Sequence, residues 1–490
     1  MSDTSQLDHE FATLDCGDAR LNRRGVTSLV ALSKQPACSP PKVLTASELE
    51  GLYRFVSNDA VDLPTLMKAH ADATLGRIQG LDRLVVSHDS SSARFSEEVA
   101  RAGLGPMDGG GQGFYMQVAL ACGGRFNPLG VLGTETWVRK SRTRVKRTQV
   151  QRYRDPDKES LRWSRMVDEV ERVMTNHDTR IIHVMDREAD DYNLLSHLVQ
   201  HNRGFVVRSS YDRRLWSETK EATPLLREFV RGLDVQWERD AKLSNRTRTG
   251  RGGTDIKKHP PREPRDAQLV FASGKASIRR PEKTSKALPE QLTLNVVYVK
   301  EIEPPEGCQP VEWFLFTSEP VDTEEQVLQV VDDYRQRWLI EEFFKALKTG
   351  CAYEQRQHES LHALLNVLGI FIPIAWSLLR LRALARCPAR ANGPASEVLN
   401  ATQLQVLSAK SEGRVGTNLT VYEAMRAIAK YFGGHLKGNG EPGWQVLGRG
   451  YEELLQAEFY WTLALASLQK PVAVTPTTAV TTSAKSDRKM

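Results

Sequence analysis

Residues 181–190 read IIHVMDREAD, an apolar run rich in β-branched residues that ends on Asp186 and passes at once into charge. Such a run, bounded by polar residues, predicts a strand. A helix through Tyr192–Val199 and a strand over Gly204–Arg208 follow, so the chain alternates between strand and helix here. Upstream, Leu84–His88 reads as another strand, delivering Asp89 to its carboxyl end just before the serine turn Ser90–Ser92. Between the two lie strand candidates FYMQVALAC (114–122) and LGVLGTETWV (129–138), separated by Gly, Asn and Pro, and then a helix over Glu159–Met174. A meander, a helix and crossover strands in that order suit a mixed α/β sheet with helices packed on it. Both aspartates then stand at carboxyl ends of strands, where open sheets place their ligands.

A third carboxylate sits in YRQRWLIEEFFKALK, residues 334–348. At about 100° per residue, Tyr334, Arg337, Glu341, Lys345 and Lys348 share an arc of roughly 80°, while Leu339, Ile340, Phe343, Ala346 and Leu347 point away. One face packs, and the other can meet a polyanion. Ion pairing on a solvated helix would use the same residues.

Composition narrows the classes. The 490 residues exceed one ordinary core, and 40% hydrophobic with 26% charged residues is the balance of a soluble globular chain. The net charge of +6 is unevenly spread. Residues Arg139–Arg154 hold eight Lys or Arg and no acid, and Arg246–Arg265 is nearly as basic, which favours a nucleic acid over a small acidic ligand. The six cysteines are scattered without a CxxC or a paired Cys/His spacing, so a reducing compartment without a zinc site is expected. The start MSDTSQLDHE is polar and acidic, unlike a secretory signal. Leu364–Leu379 is apolar but carries Asn366, Gly369 and Pro373, which predicts a buried helix and not a membrane span.

Cleaving a phosphodiester needs an activated water and a stabilised leaving oxygen, and two Mg²⁺ ions supply both when carboxylates hold them. Asp89, Asp186 and Glu341 have the right chemistry for that task. Taken singly, each also suits a turn, a helix start or an exposed face.

DREAD after an apolar strand, together with Tyr334, Arg337, Glu341 and Lys348 spaced as Tyr-x2-Arg-x3-Glu-x6-Lys, resembles the insertion-sequence-four group of bacterial DDE transposases. GLYRF (51–55), TSEPV (317–321) and RWLIEEFFKALKTG (337–350) extend the similarity over most of the chain, and Asp-Ser-Ser at 89–91 stands where relatives often carry Asp-Thr-Thr. The resemblance implies a ribonuclease-H-like core with Asp89, Asp186 and Glu341 as catalytic metal ligands for two Mg²⁺, with Mn²⁺ able to substitute. It implies cut-and-paste transposition: water cuts one strand at the element end, the freed 3′ hydroxyl makes a hairpin on the other, and the reopened 3′ ends join target DNA. It places Tyr334, Arg337, Lys348, Arg208 and Lys345 on DNA phosphates, Trp313 on a base turned out of the helix, and Arg20, Arg24, Lys34, Glu50 and Arg54 on the terminal repeat. It further implies double-stranded DNA as partner, a homodimer in the assembled complex, no membrane, and a bacterial cytoplasmic location.

The expected layout is an N-terminal helical DNA-recognition domain (1–75), a first part of the core (76–210), a β-rich insertion (211–312), a second part of the core (313–385), a helical dimerisation domain (386–470) and a disordered tail (471–490). Two other readings stay open at this point: a metal-dependent nuclease of the same fold that never joins ends, and a non-catalytic repressor descended from such an enzyme.

Overall fold

The computed structural model describes residues 7–124, 126–140, 158–218, 223–243, 262–436, 438 and 440–468. Most of both basic runs and the expected disordered tail lie outside the described residues. One ten-stranded sheet forms the centre. Its strands are β1 (Arg83–Phe95), β2 (Gly105–Pro106), β3 (Gln112–Gly123), β4 (Asn127–Trp137), β5 (Arg180–Met185), β6 (Gly204–Arg208), β7 (Trp237–Leu243), β8 (Arg265–Arg279), β9 (Gln291–Ile302) and β10 (Glu312–Thr317).

The strand order is β2-β3-β1-β5-β6-β10-β9-β8-β7, with β4 also on β3. β4, β3 and β1 form the antiparallel meander, and β5 and β6 then add in parallel to β1. The parallel additions need crossovers, and the helices Leu161–Val173 and Tyr192–Gln200 supply them. Central strands are buried on both faces, Ile182, Val184, Val206 and Val207 among them. This is the mixed sheet flanked by helices that the sequence predicts.

Three details differ from expectation. The serine turn after His88 does not form: β1 runs on to Phe95, with Ser90, Ser91 and Ser92 opposite Gln117, Met116 and Tyr115 of β3. A long antiparallel partner satisfies the serine backbone and overrides its local turn preference. The β-rich insertion is continuous with the core sheet, because β9 pairs both β8 and β10, and β10 pairs β6. Finally, the helix Leu63–Ile78 runs through the expected boundary at 75.

Before the sheet come the helices Ala19–Ser33, Pro40–Val43, Ala46–Val56 and Leu63–Ile78. Thr45 and Glu48 close a capping box on the third, and Asp62 caps the fourth, which fixes where each begins. After it come the helices Leu361–Arg386, Ala401–Lys410, Val421–Tyr431 and Trp444–Leu468. Leu361–Arg386 is apolar enough to cross a membrane, but 83% of its most apolar window is buried inside the protein. It is the hub of the helical packing. Asn366 donates to the carbonyls of Val56 and Val61, and Trp376 to that of Pro128, tying N-terminal helices and the β3–β4 hairpin to one element. All six cysteines are free.

Candidate active site

The parallel ladder of β1 and β5 ends at the pair His88 and Met185. The next residues on the two strands, Asp89 and Asp186, therefore come side by side, since adjacent strands lie about 4.8 Å apart. Asp89 is thus inside β1 and not at its end, yet it stands where its parallel partner stops. Each carboxylate is also oriented locally: Asp89 Oδ1 accepts the Ser90 N–H at 2.7 Å, and Asp186 Oδ1 accepts the Glu188 N–H at 2.8 Å, capping the short turn Arg187–Ala189. Burial, with Asp186 close by, pushes the Asp89 carboxyl up to about 7 against the pull of Arg337 and the Ser90 amide.

Side chains alternate along a strand, so His88 faces away from Asp89 into the opposite layer. There it meets His183 at 2.8 Å, His183 meets Glu171 at 3.0 Å, and Arg203 donates to Glu171 at 2.7 Å. Burial holds both imidazoles below their usual range, so this polar chain is neutral at its inner end.

Glu341 comes from a different element. The helix Glu324–Gln336 starts at a Thr323–Gln326 capping box and is interrupted at Arg337; a second helix, Trp338–Lys345, then opens into a π-turn at Ala346–Gly350. The expected single helix over 334–348 is thus three pieces, and the wide final turn changes the angular position of Lys348. The Arg337 guanidinium bonds Glu341 Oε1 and lies 3.6 Å from Asp89 Oδ2. Burial opposes its charge, but Tyr334, Glu341 and Asp89 hold its pKa above the usual arginine value.

The remaining expected residues divide. Trp313, half-buried at the start of β10, packs edge-on to Tyr334 at 5.3 Å, and the Arg208 guanidinium lies 5.9 Å from its ring. These three form one row beside the carboxylates. Tyr334 is only 4% exposed, so it packs inward while still lying beside Arg337. Lys348 is half-buried with Glu354 at 3.9 Å, and burial lowers its pKa. Lys345 points elsewhere: it pairs with Glu342 at 2.8 Å and covers the ring of Trp338.

Two residues without an expected role stand nearby. Arg187, inside DREAD, has its pKa lowered by burial and then by the charges of Arg208 and Arg227. The motif itself carried that signal. Trp338 is 44% exposed one position after Arg337, and a helical pitch from Tyr334 already sets it beside Lys345 on the open edge.

Of the end-recognition positions, Arg20 pairs with Asp18, Glu50 with Arg54, and Arg24 lies so close to Gly51 that a methyl group there would strike its guanidinium. Arg24 and Gly51 join the helices Ala19–Ser33 and Ala46–Val56, which carry all of these residues. Lys34 instead sits 4.1 Å from the centre of the Phe459 ring on the last helix.

Among the described residues, no three His, Cys, Asp or Glu side chains lie close enough together to hold a metal ion. Asp89 and Asp186 form a pair, and Glu341 is linked to it through Arg337. The donor chemistry nonetheless fits: three carboxylates offer only oxygen, as Mg²⁺ or Mn²⁺ requires, and a cation would offset the burial and the nearby Asp186 charge that raise Asp89.

Residues 3–61 match the family described as transposase DNA-binding, and residues 159–372 match the transposase DDE domain. The second match includes Asp186 and Glu341, while Asp89 precedes it. A cryo-EM structure of a piggyBac transposase synaptic complex with hairpin DNA is 11% identical over 98% of this chain and 85% of that one, at a TM-score of 0.33. The chain thus joins a transposase DNA-binding segment to a transposase DDE domain, whose sheet is a ribonuclease-H-like core.

Proposed function

We propose that this protein is a cut-and-paste DNA transposase of the insertion-sequence-four group, with Asp89, Asp186 and Glu341 as its catalytic carboxylates. The observation that carries the reading is the end of the β1–β5 ladder, which sets two aspartates side by side with Arg337 reaching from Asp89 to Glu341. Divalent ions held by these groups would supply an activated water and a stabilised leaving oxygen for nicking, hairpin formation, reopening and strand joining. Arg337 neutralises the carboxylates without such ions and, once they are bound, is free to grip a phosphate bidentately. Arg208 and Lys348 hold flanking phosphates, and Trp313 offers its ring to an extruded base, stacking worth about 1–3 kcal/mol. Tyr334 positions that ring from beneath.

The helices of residues 1–75 grip the terminal repeat through Arg20, Arg24, Lys34, Glu50 and Arg54. The C-terminal helices pair two copies, and exposed Phe459, Tyr460, Leu463, Leu465 and Leu468 leave apolar surface around the end of the last helix to bury. The decisive experiment incubates purified protein with the DNA flanking its own gene and Mg²⁺, and resolves products on denaturing gels. Nicks followed by hairpins and joined strands are expected. Nicks without hairpins would leave a nuclease, and retention without any cleavage in Mg²⁺ or Mn²⁺ would leave a binder.

A further inference from the structure

Glu341 and Glu342 are neighbours on one helix but face about 100° apart. Glu341 turns to Arg337 and Asp89. Glu342 turns the other way, into the C-terminal helices, where its side chain is only 13% exposed. There Arg382 of the helix Leu361–Arg386 bonds it, the Trp444 indole N–H donates to its Oε2 at 3.0 Å, and Lys345 donates to its Oε1 at 2.8 Å. Arg382 also lies 4.2 Å from the centre of the Trp444 ring, so the three partners form one closed cluster. The same last helix touches the π-turn, because a methyl group on Gly448 would come within 3.5 Å of the Gly350 backbone.

The helix that carries Glu341 is eight residues long, with an interruption at Arg337 on one side and the π-turn on the other. At both ends the hydrogen-bond spacing changes: the Arg337 N–H bonds the Tyr334 carbonyl, and the Cys351 N–H bonds the Ala346 carbonyl, so a uniform ladder does not set its rotation. A turn of about 10° about its axis moves a carboxylate on its surface by about 1 Å, a displacement that can cost about a hundredfold in rate.

We propose that Glu342 is a positioning residue, through which Arg382 and the start of the last helix set the rotation of the catalytic helix and so the aim of Glu341. The proposal rests on the reading of Glu341 as a catalytic carboxylate. A region outside the core then reaches the chemistry through one buried acid.

The test uses the full chain with Glu342→Gln, Trp444→Phe and the double variant. Backbone amide exchange, retention of end DNA and single-turnover nicking over a Mg²⁺ series are measured on each. In Glu342→Gln, loss of a charge-assisted cluster should speed exchange over residues 338–350 by about tenfold, leaving β1 and β5 unchanged. Nicking should slow by about tenfold, with a several-fold rise in the half-saturating Mg²⁺ concentration and unchanged DNA retention. Trp444→Phe should move both readouts the same way by less, and the double variant should be no worse than Glu342→Gln alone.

A residue that merely supports the fold would quicken exchange across the sheet and leave the Mg²⁺ midpoint where it was. That result, or parent-like exchange over 338–350 in both single variants, overturns the proposal. If Glu342→Gln does not fold, parent-like exchange and midpoint in Trp444→Phe overturn it alone. Should Glu341→Gln nick at the parent rate, the reading of Glu341 fails, and the exchange result still decides whether Glu342 sets the helix.

Discussion

The sheet and the helix hold their carboxylates in different ways. Asp89 and Asp186 hang from adjacent strands one step past a shared ladder end, so backbone hydrogen bonds set their separation. Moving one relative to the other requires a register slip, which would turn every core side chain of that strand outward. Glu341 hangs from a short helix bounded by an interruption and a π-turn, and it reaches Asp89 through the side chain of Arg337. The pair is built into the backbone, whereas the third group can be re-aimed by a small rotation. A metal site assembled from both kinds of support can stay open until DNA and ions arrive.

The largest effect that tests this contrast comes from the carboxylates themselves. Asp186→Asn should lower nicking in Mg²⁺ by about a thousandfold or more while retention of end DNA stays near that of the parent, since removal of a metal ligand leaves the cationic surface intact. Glu341→Gln should do the same. The contrast lies in the size swaps: Glu341→Asp should keep about a tenth to a hundredth of the activity because its helix can shift, and Asp186→Glu should stay inert because its strand cannot. Single-turnover gels decide it, and the reverse order would mean that the helix is the rigid partner.

Much of the sheet was legible because its strands are short apolar runs. IIHVM, GFVVR and QLTLNVVYVK each lie within β5, β6 and β9. What was hidden depends on partners far along the chain. The serines after Asp89 favour a turn by themselves, and only the length of β3 makes them a strand. Continuity of the insertion with the core sheet is likewise a matter of pairing between β9 and β10. Around Glu341, a uniform pitch put Tyr334, Lys345 and Lys348 on one edge. Tertiary packing buries Tyr334, Lys345 pairs with Glu342 one turn back on the same helix, and the π-turn shifts Lys348. The motifs name the carboxylates by type and spacing, while the directions of the surrounding cations depend on packing that no local pattern encodes.

A second, smaller effect probes the row beside the site. Trp313 is borne by β10 and meets Tyr334 of the helix Glu324–Gln336, which leads into the helix carrying Glu341. Trp313→Ala should slow hairpin formation about tenfold, in line with stacking of about 1–3 kcal/mol, and leave the first nick nearly unchanged. Time courses that separate nicked from hairpin product provide the measurement. Equal slowing of both steps would instead assign the ring to support of Tyr334 and the helix beneath it.

The smallest effect is one of stability, and it reads the cost of holding a buried charge on the strand-borne pair. Asp89 is held up to about 7 in the folded chain by burial and by Asp186, against an unfolded value near 3.9. The folded state therefore binds the proton more tightly, so the stability linked to this group is fully present below about pH 4 and is lost as pH rises through 7. Asn cannot ionise. In EDTA, Asp89→Asn should gain about 1–2 kcal/mol over the parent at pH 8 and nothing at pH 4, once the lost pairing with Arg337 is discounted. Urea unfolding at the two pH values reads the difference directly. An equal gain at both pH values would trace the cost of Asp89 to shape and not to charge. The backbone-built pair would then hold no charge cost for a cation to release.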